Sequence, residues 1–218
     1  MSIISKAMTD NSISLVDKEL RASHAGETGA VWIYRGALTA DFLVSIVAGL
    51  WAKLGLQTQS RKKEEKHRKK ESVFSFASEH LATEKSHLDI FENHMPPFRG
   101  SYMLLLWMVG GFMTGFLPRI LGRNWFFYTI YCVECFVDEH YEEQCGLLES
   151  VEPTPFDVLE KFRRCQSDEQ SHKDEAYNAM TTAPTSAMKL SRPCVAARTS
   201  SRRKSRTLSS NSSTRGVS

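Results

Sequence analysis

The sequence predicts an all-α helical bundle, and three observations predict it. Apolar residues recur at three- and four-residue spacing through five separate segments. No stretch alternates apolar and polar residues over a useful strand length, and no repeat of solenoid period is present. Carboxylate and imidazole side chains fall within four of the five segments, where helical spacing turns them to the apolar face.

Length and composition set the frame. A chain of 218 residues suits one domain that buries a core without disulfide staples. Hydrophobic residues at 41% and charged residues at 24% exclude a wholly disordered chain and a polytopic membrane protein. Five cysteines at unequal spacings exclude a fully paired disulfide framework and point to a reducing compartment. The net charge of +3 hides an asymmetry: residues 176–218 hold eight Lys or Arg and no acid, which leaves residues 1–175 at −5. An acidic body of this kind gives no reason to expect a nucleic-acid partner.

The elements follow in order. Residues 1–16 are expected to be a flexible N-terminus, without the apolar run of a secretory signal or the Arg-rich look of a transit peptide. Residues 17–180 are expected to form the one folded domain. From Asp17 to Val47 the pattern is helical, with Leu20, His24, Glu27, Val31, Tyr34 and Leu38 on one face. Gly26 and Gly29 lie inside it, each at a cost of about 1 kcal/mol relative to Ala; they are either simply tolerated or mark the close approach of another helix. Residues 61–71, seven basic and three acidic, read as a solvated connection. A second helix runs from Ser72 to Asn93, with Phe76, His80, Glu84, His87 and Phe91 along one side, and Pro96-Pro97 stops it.

Residues 101–117 are uncharged throughout. A spanning helix needs about 20 apolar residues, so this stretch is marginal, and Gly110-Gly111 weakens it further. A core helix, or one dipping into a membrane interface, fits better. Asn124 to Val137 is rich in aromatics suited to the headgroup level, and this helix continues to Leu148. Glu152-Pro153-Thr154-Pro155 breaks it, and Asp157 to Ala179 forms the last helix. Residues 181–218, sixteen of them Ser or Thr, bury too little surface to offset their ordering entropy and read as a disordered basic tail.

The chemistry is concentrated in six residues. Two Glu-x-x-His motifs are present, Glu84-Lys-Ser-His87 and Glu169-Gln-Ser-His172, and residues three apart on a helix share a face. Glu27 lies between apolar neighbours in the first helix, and Glu134 lies in the otherwise uncharged run 131–137. A charge in such surroundings is costly unless paired or bound to metal. In chain order the set is Glu27, Glu84 with His87, Glu134, Glu169 with His172, each group on its own helix. A two-metal carboxylate site in a ferritin-like four-helix bundle requires that set. Carboxylate and imidazole ligands together suit Fe or Mn. Ligating histidines usually donate their second N–H to a carboxylate, and Asp168 is the preferred candidate, ahead of Asp174. Cys132 and Cys135 read as buried free thiols, and His24, His80 and His140 as core residues or neighbours of the site. Arg202-Arg203-Lys204 reads as part of the solvated tail. No Ser-His-Asp order, phosphate-cradling loop or dinucleotide fingerprint stands out.

Several of these stretches resemble one family. Arg21-Ala-Ser-His-Ala-Gly-Glu-Thr-Gly-Ala30 with Ile33-Tyr-Arg-Gly36, then Glu79–Leu88, Val133-Glu134 with His140-Tyr141, and Asp168–His172 are similar to the demethoxyubiquinone hydroxylases (the Coq7 or CLK-1 proteins). The resemblance covers about residues 15–180. It implies hydroxylation of the quinone ring of a polyprenylated ubiquinone precursor, with O2, a two-electron reductant (NADH is a candidate) and a di-iron centre. Glu27, Glu84, His87, Glu134, Glu169 and His172 match the ligand positions, with Glu84 and Glu169 as the bridging pair. His140 and Tyr141 match positions that serve electron delivery.

The same resemblance gives the apolar middle a use. Leu104, Leu105, Trp107, Met108, Phe112, Phe116 and Trp125 would form membrane contact and substrate access. The implied attachment is peripheral, on the matrix side of the mitochondrial inner membrane or the inner face of a bacterial one. A Coq9-like lipid-binding partner and a ubiquinone-synthesis complex are implied, and a homo-oligomer is left open. Two departures stand out: the Ser/Arg-rich tail replaces a further apolar helix after about residue 182, and the run 61–71 lengthens the first connection.

Two other readings compete. A rubrerythrin- or bacterioferritin-like iron oxidase or peroxidase shares the ligand order but has no use for residues 101–131. A non-catalytic partner-binding bundle has no reason to place Glu134 among aromatics.

Overall fold

The structure, a computed structural model, describes residues 10–54, 72–95 and 101–180. The expectations for residues 1–9, the basic run 61–71, the Pro96-Pro97 stop and the tail 181–218 lie outside the described residues. Five helices account for nearly all of the rest: α1 (Asp10–Lys53), α2 (Val73–His94), α3 (Leu104–Leu121), α4 (Arg123–Glu149) and α5 (Phe156–Ala179). No strand occurs among the described residues.

α1 is longer than the periodicity suggests. It begins at Asp10 rather than Asp17, because its apolar seam continues backwards: Val16 packs against the core cluster around Leu20 and Phe162. It also runs past Val47 to Lys53, through residues whose apolar side chains are exposed. α2 starts where Ser72 caps it, its hydroxyl accepting from the Ser75 N–H at 3.0 Å.

Four helices form a ring in the order α1, α2, α5, α4, and every neighbouring pair is antiparallel. Along α1 and α2, His24 faces Glu92 while Tyr34 meets Phe76. Along α2 and α5, His80 meets His172 while Phe91 meets Phe162. Along α4 and α5, Tyr131 meets Tyr177 while Tyr141 meets Phe162. Along α1 and α4, Tyr34 bonds Glu134 while Tyr141 bonds Glu27. α2 and α4 therefore run in the same direction, so the chain between them must cross the length of the bundle. One such long crossover is the hallmark of the ferritin-like topology. Here α3 is the crossover.

The core is two apolar plugs with a polar layer between them. One plug gathers Ile33, Tyr34, Phe76, Phe126, Phe127 and Ile130. The other gathers Leu20, Phe91, Tyr141, Leu148 and Phe162. The candidate ligands fall between the two on each helix. The aromatic start of α4 thus belongs largely to the core: Phe126, Phe127 and Tyr128 are buried rather than set at a membrane rim. Their ring faces meet Phe76 and one another edge-on, which the uniform aromatic composition of that stretch did not reveal.

α3 lies parallel to α1 and touches it backbone to backbone. A Cβ on Gly111 would run into the carbonyl of Gly29, and one on Gly115 into that of Ile33. Small residues four apart let helices approach this closely. Gly29 therefore marks a helix approach, with the Trp107 ring over it, whereas Gly26 has nothing within 4 Å and is simply tolerated. Gly111, expected to weaken the segment, is instead part of its packing seam. Asp41 and Arg119 close the far end of the pair with contacts of 2.6 and 2.7 Å. At Gly122 a φ of +136° lets the chain reverse directly into α4.

The outer faces of this pair are apolar and bare. Leu105, Leu106 and Trp107 are exposed on α3, and Phe42, Leu50 and Trp51 on the last turns of α1. Of the expected membrane-contact residues, Leu105 and Trp107 are exposed, while Leu104, Met108, Phe112, Phe116 and Trp125 are half-buried. Phe112 stacks on Phe116 and meets the Trp32 ring edge-on, so it faces α1. The contribution of α1 to this surface was not anticipated. Both helices have the length and hydropathy of a membrane span, yet only 11% of the α3 window is buried.

The glycine seam makes a signed prediction. Gly115→Ala should destabilise the protein by about 1–3 kcal/mol through overpacking, against its gain in helix propensity. Gly110→Ala, in open space on the same helix, should stabilise by up to about 1 kcal/mol. Denaturant melts of the two variants check this; equal effects would mean that α3 does not pack as described.

Candidate metal centre

The polar layer brings all six sequence-predicted ligands together. Ligand atoms of Glu27, Glu84, His87 and Glu169 lie within 4.8 Å of one another, and so do those of Glu84, Glu134, Glu169 and His172. The two groups share Glu84 and Glu169. Each helix of the ring contributes its residues because their side chains project into one level between the apolar plugs.

The distances are those of a compact cluster. His87 Nδ1 is 3.2 Å from Glu169 and 3.7 Å from both Glu27 and Glu84. His172 Nδ1 is 3.3 Å from Glu84 and 3.2 Å from Glu169. All six side chains are buried, Glu84 and His87 to within 1% of completely. Glu27 Oε2, both Glu84 oxygens and His87 Nδ1 are buried without a hydrogen-bond partner. Orphaned buried polar atoms of this kind are expensive. A divalent cation pair accounts for them, so the residues fit a dinuclear metal centre.

The electrostatics show the strain of four carboxylates facing two imidazoles. Burial, joined by the charges of Glu84 and Glu169, pushes Glu27 up to about 8. Burial and the same two neighbours hold Glu134 well above the carboxylate range. Burial would also raise Glu84, but the facing His172 and His87 imidazoles prevail and lower it to about 2. Burial works against both imidazolium forms, yet the surrounding carboxylates raise His87 strongly and His172 to about 10. Without metal, protons therefore supply the positive charge that the layer requires.

The surrounding groups divide into those sequence reading anticipated and those it missed. Asp168 lies 3.1 Å from His87 Nε2. It thus serves the histidine of the other ligand helix, across the α2–α5 interface, rather than the motif it flanks. Tyr141 donates to Glu27 from α4. His140, its neighbour, turns away from the layer and stacks on the exposed Phe136 ring. Tyr34 was read only as part of an apolar face, yet its hydroxyl donates to Glu134 at 3.2 Å. The signal was available: Tyr34 follows Glu27 by seven residues, as Tyr141 follows Glu134, which keeps each pair on one face. Cys132 and Cys135 are half-buried, not buried; among the described residues the buried free thiols are Cys145 and Cys165. Burial pushes Cys165 up to about 12, which leaves it an inert thiol.

His80, expected as a core residue or a neighbour of the site, is both. It is buried, its ring centroid 4.2 Å from that of His172. Its Nδ1 lies 2.8 Å from the Phe76 carbonyl, and burial pushes it down to about 4. On the outer side of these histidines, α2 and α5 border an open groove of about 450 Å³ lined by Thr83, Ser86, Asp168, Ser171, His172 and Glu175, among others.

Comparison with known proteins agrees with this geometry. A family model described as "Ubiquinone biosynthesis protein COQ7" matches residues 56–201. The match contains five of the six candidate ligands and continues beyond residue 182, where the sequence had been read as departing from the family. The 3-demethoxyubiquinol 3-hydroxylase of Rhodospirillum rubrum is 29% identical over 174 residues, covering 78% of this chain and 68% of its own. The mitochondrial NADPH-dependent 3-demethoxyubiquinone 3-hydroxylases of Mus musculus and Homo sapiens are 28% and 29% identical over 175 residues, with the same coverage. A dinuclear-type Glu/His layer inside an all-α bundle and a family match over two thirds of the sequence agree: the chain belongs to the COQ7 family of ubiquinone biosynthesis proteins.

Proposed function

We propose that this chain is a monooxygenase that hydroxylates the ring of a polyprenylated demethoxyubiquinone, using a di-iron centre. The observation that carries this reading is the pair of buried clusters sharing Glu84 and Glu169. Glu27 and His87 would hold one iron and Glu134 and His172 the other, with Glu84 and Glu169 available to both. When bound, the iron pair supplies the activation of O2, with two electrons from a reductant. The relatives named as NADPH-dependent support a nicotinamide donor.

The protein's own groups set the conditions for that chemistry. Asp168 holds the His87 ring by its Nε2, which keeps Nδ1 turned to the carboxylates. Tyr141 and Tyr34 each donate to a terminal carboxylate, Glu27 and Glu134, and so fix which oxygen remains free for metal. Burial and the facing carboxylates keep both phenols protonated, far above the ordinary tyrosine range. The two apolar plugs exclude water from above and below the layer.

The bare apolar faces of α1 and α3 support attachment to a membrane, where a polyprenyl tail resides. This surface favours the quinone reading over a rubrerythrin- or bacterioferritin-like iron oxidase, which needs none. Peripheral attachment at the matrix side of the mitochondrial inner membrane, and a Coq9-like partner, extend the same reading; the mitochondrial names of several relatives support the compartment.

Three measurements test this. Iron-reconstituted protein should bind about two irons per chain, and a Glu169→Ala/His172→Ala variant should lose them; well-folded protein that binds none would sink the proposal. Metal binding should also release protons, about two to four per chain near pH 7, because His172 (about 10) and Glu27 (about 8) hold protons there in the metal-free state. Affinity should then rise with pH through about 8 and about 10; calorimetry in buffers of different ionisation enthalpy reads the proton count, and pH-independent binding contradicts it. Finally, Leu105→Asp/Leu106→Asp should weaken flotation with lipid vesicles roughly tenfold or more while leaving iron content unchanged.

A further inference from the structure

Beside the central layer, one buried nitrogen has no partner and faces a carboxylate. The His80 side chain is buried, only 4% of it exposed. Its Nδ1 lies 2.8 Å from the Phe76 carbonyl, the oxygen four residues back on the same helix. A carbonyl only accepts, so Nδ1 carries the proton and neutral His80 presents a bare lone pair at Nε2. That Nε2 has no hydrogen-bond partner. Glu175 Oε2 lies 3.4 Å from it. Two acceptors thus face each other at the wall of the α2–α5 groove.

Something positive belongs between them, and the spacing suits a metal ion. Imidazole nitrogen and carboxylate oxygen bind Zn-like divalent cations at about 2.1 Å, and an ion at that distance from both atoms would see them about 108° apart. That is the angle between neighbouring ligands on a tetrahedral ion. The position is open to solvent on one side: the Glu175 side chain is 55% exposed, and Glu175 lines a polar groove with Thr83, Ser86, Ser171, Asp168 and the cationic Arg164. Water can complete a coordination shell there.

We propose that His80 and Glu175 form an outer divalent-cation site on the solvent side of His172, distinct from the six-residue centre. Neither residue belongs to that centre, and each comes from a different ligand helix, so the site exists only where α2 and α5 are packed. The His80 ring lies against the His172 ring, which places an outer ion one imidazole away from the central layer. The inference concerns a third ion and stands whether or not the central reading does.

Equilibrium dialysis of the full-length protein against Co2+ tests it, with His80→Leu and Glu175→Gln beside the wild type. The expected result is about three ions per chain in the wild type and about two in each variant. Glu175→Gln is an exposed change that leaves packing intact, so it decides the matter even if His80→Leu folds poorly. Two ions in the wild type, or three retained in Glu175→Gln, overturns the outer site while leaving the centre in place. One ion in the wild type that disappears in Glu175→Gln supports the outer site and removes the di-iron reading instead. No bound ion at all overturns both.

Discussion

Four carboxylates buried at one level of a helical bundle are the constraint on which the rest of this structure depends. Glu27, Glu84, Glu134 and Glu169 are each at most 4% exposed. Their mutual repulsion and lost hydration oppose folding, and only His87 and His172 stand against them within the layer. The bundle must therefore bring cations to that level or hold protons there. The two choices are linked, since a proton held by His172 or Glu27 is one that a metal must displace. Affinity for metal, pH and the integrity of the core are in this sense one equilibrium. The apolar plugs on either side make it strict, because they leave the layer no route to relax into solvent.

The layer also has an internal symmetry that the topology explains. α1 and α4 each carry a lone Glu followed seven residues later by a Tyr, and α2 and α5 each carry Glu-x-x-His. Because α1 and α4 are antiparallel, each tyrosine reaches the other helix's glutamate: Tyr34 bonds Glu134, and Tyr141 bonds Glu27. The two halves of the chain thus build matching half-sites, and Glu84 and Glu169 join them. The symmetry breaks at the histidines' outer partners. His87 has Asp168 at 3.1 Å, whereas His172 has the His80 ring beside it. The half-site nearer the groove is the one with the different support.

The ligand set was legible in the sequence for a physical reason. Glu-x-x-His at helical spacing, and a lone Glu inside an apolar run, are patterns that have few uses except a shared cation. Chain order then assigned one group to each helix. What periodicity gives is a face, not the neighbour that the face will meet. Hence Tyr34 passed for an apolar-face residue, although its hydroxyl reaches Glu134, and His80 could be placed near the site without Glu175 as its neighbour. Phe126 and Phe127 passed for a membrane rim because aromatic composition does not distinguish a core from an interface. Gly111 looked like a weakness in an apolar helix until α1 was found against it, and only the three-dimensional pairing of Gly29 and Ile33 with Gly111 and Gly115 shows why the side chain had to be absent. The length of α1 was hidden for a related reason, since its last turns pack against little and carry no amphipathic signal.

The placement of α3 gives the bundle two unlike sides. As the crossover, α3 lies on α1 and leads straight into α4, so its apolar face covers the α1–α4 edge of the ring. The α2–α5 edge is directly opposite, and there the surface is polar: Asp168, Glu175, Ser86 and Ser171 line the groove outside His172. A polyprenyl quinone can be stabilised only on the first side, and a hydrated ion only on the second. On the proposed reading the two kinds of traffic reach one buried layer from opposite directions, and neither must cross the other's surface. This follows from the topology rather than from any single residue. Once α2 and α4 run the same way, a long crossover is unavoidable, and making it apolar fixes which edge faces the lipid and leaves the other edge to water.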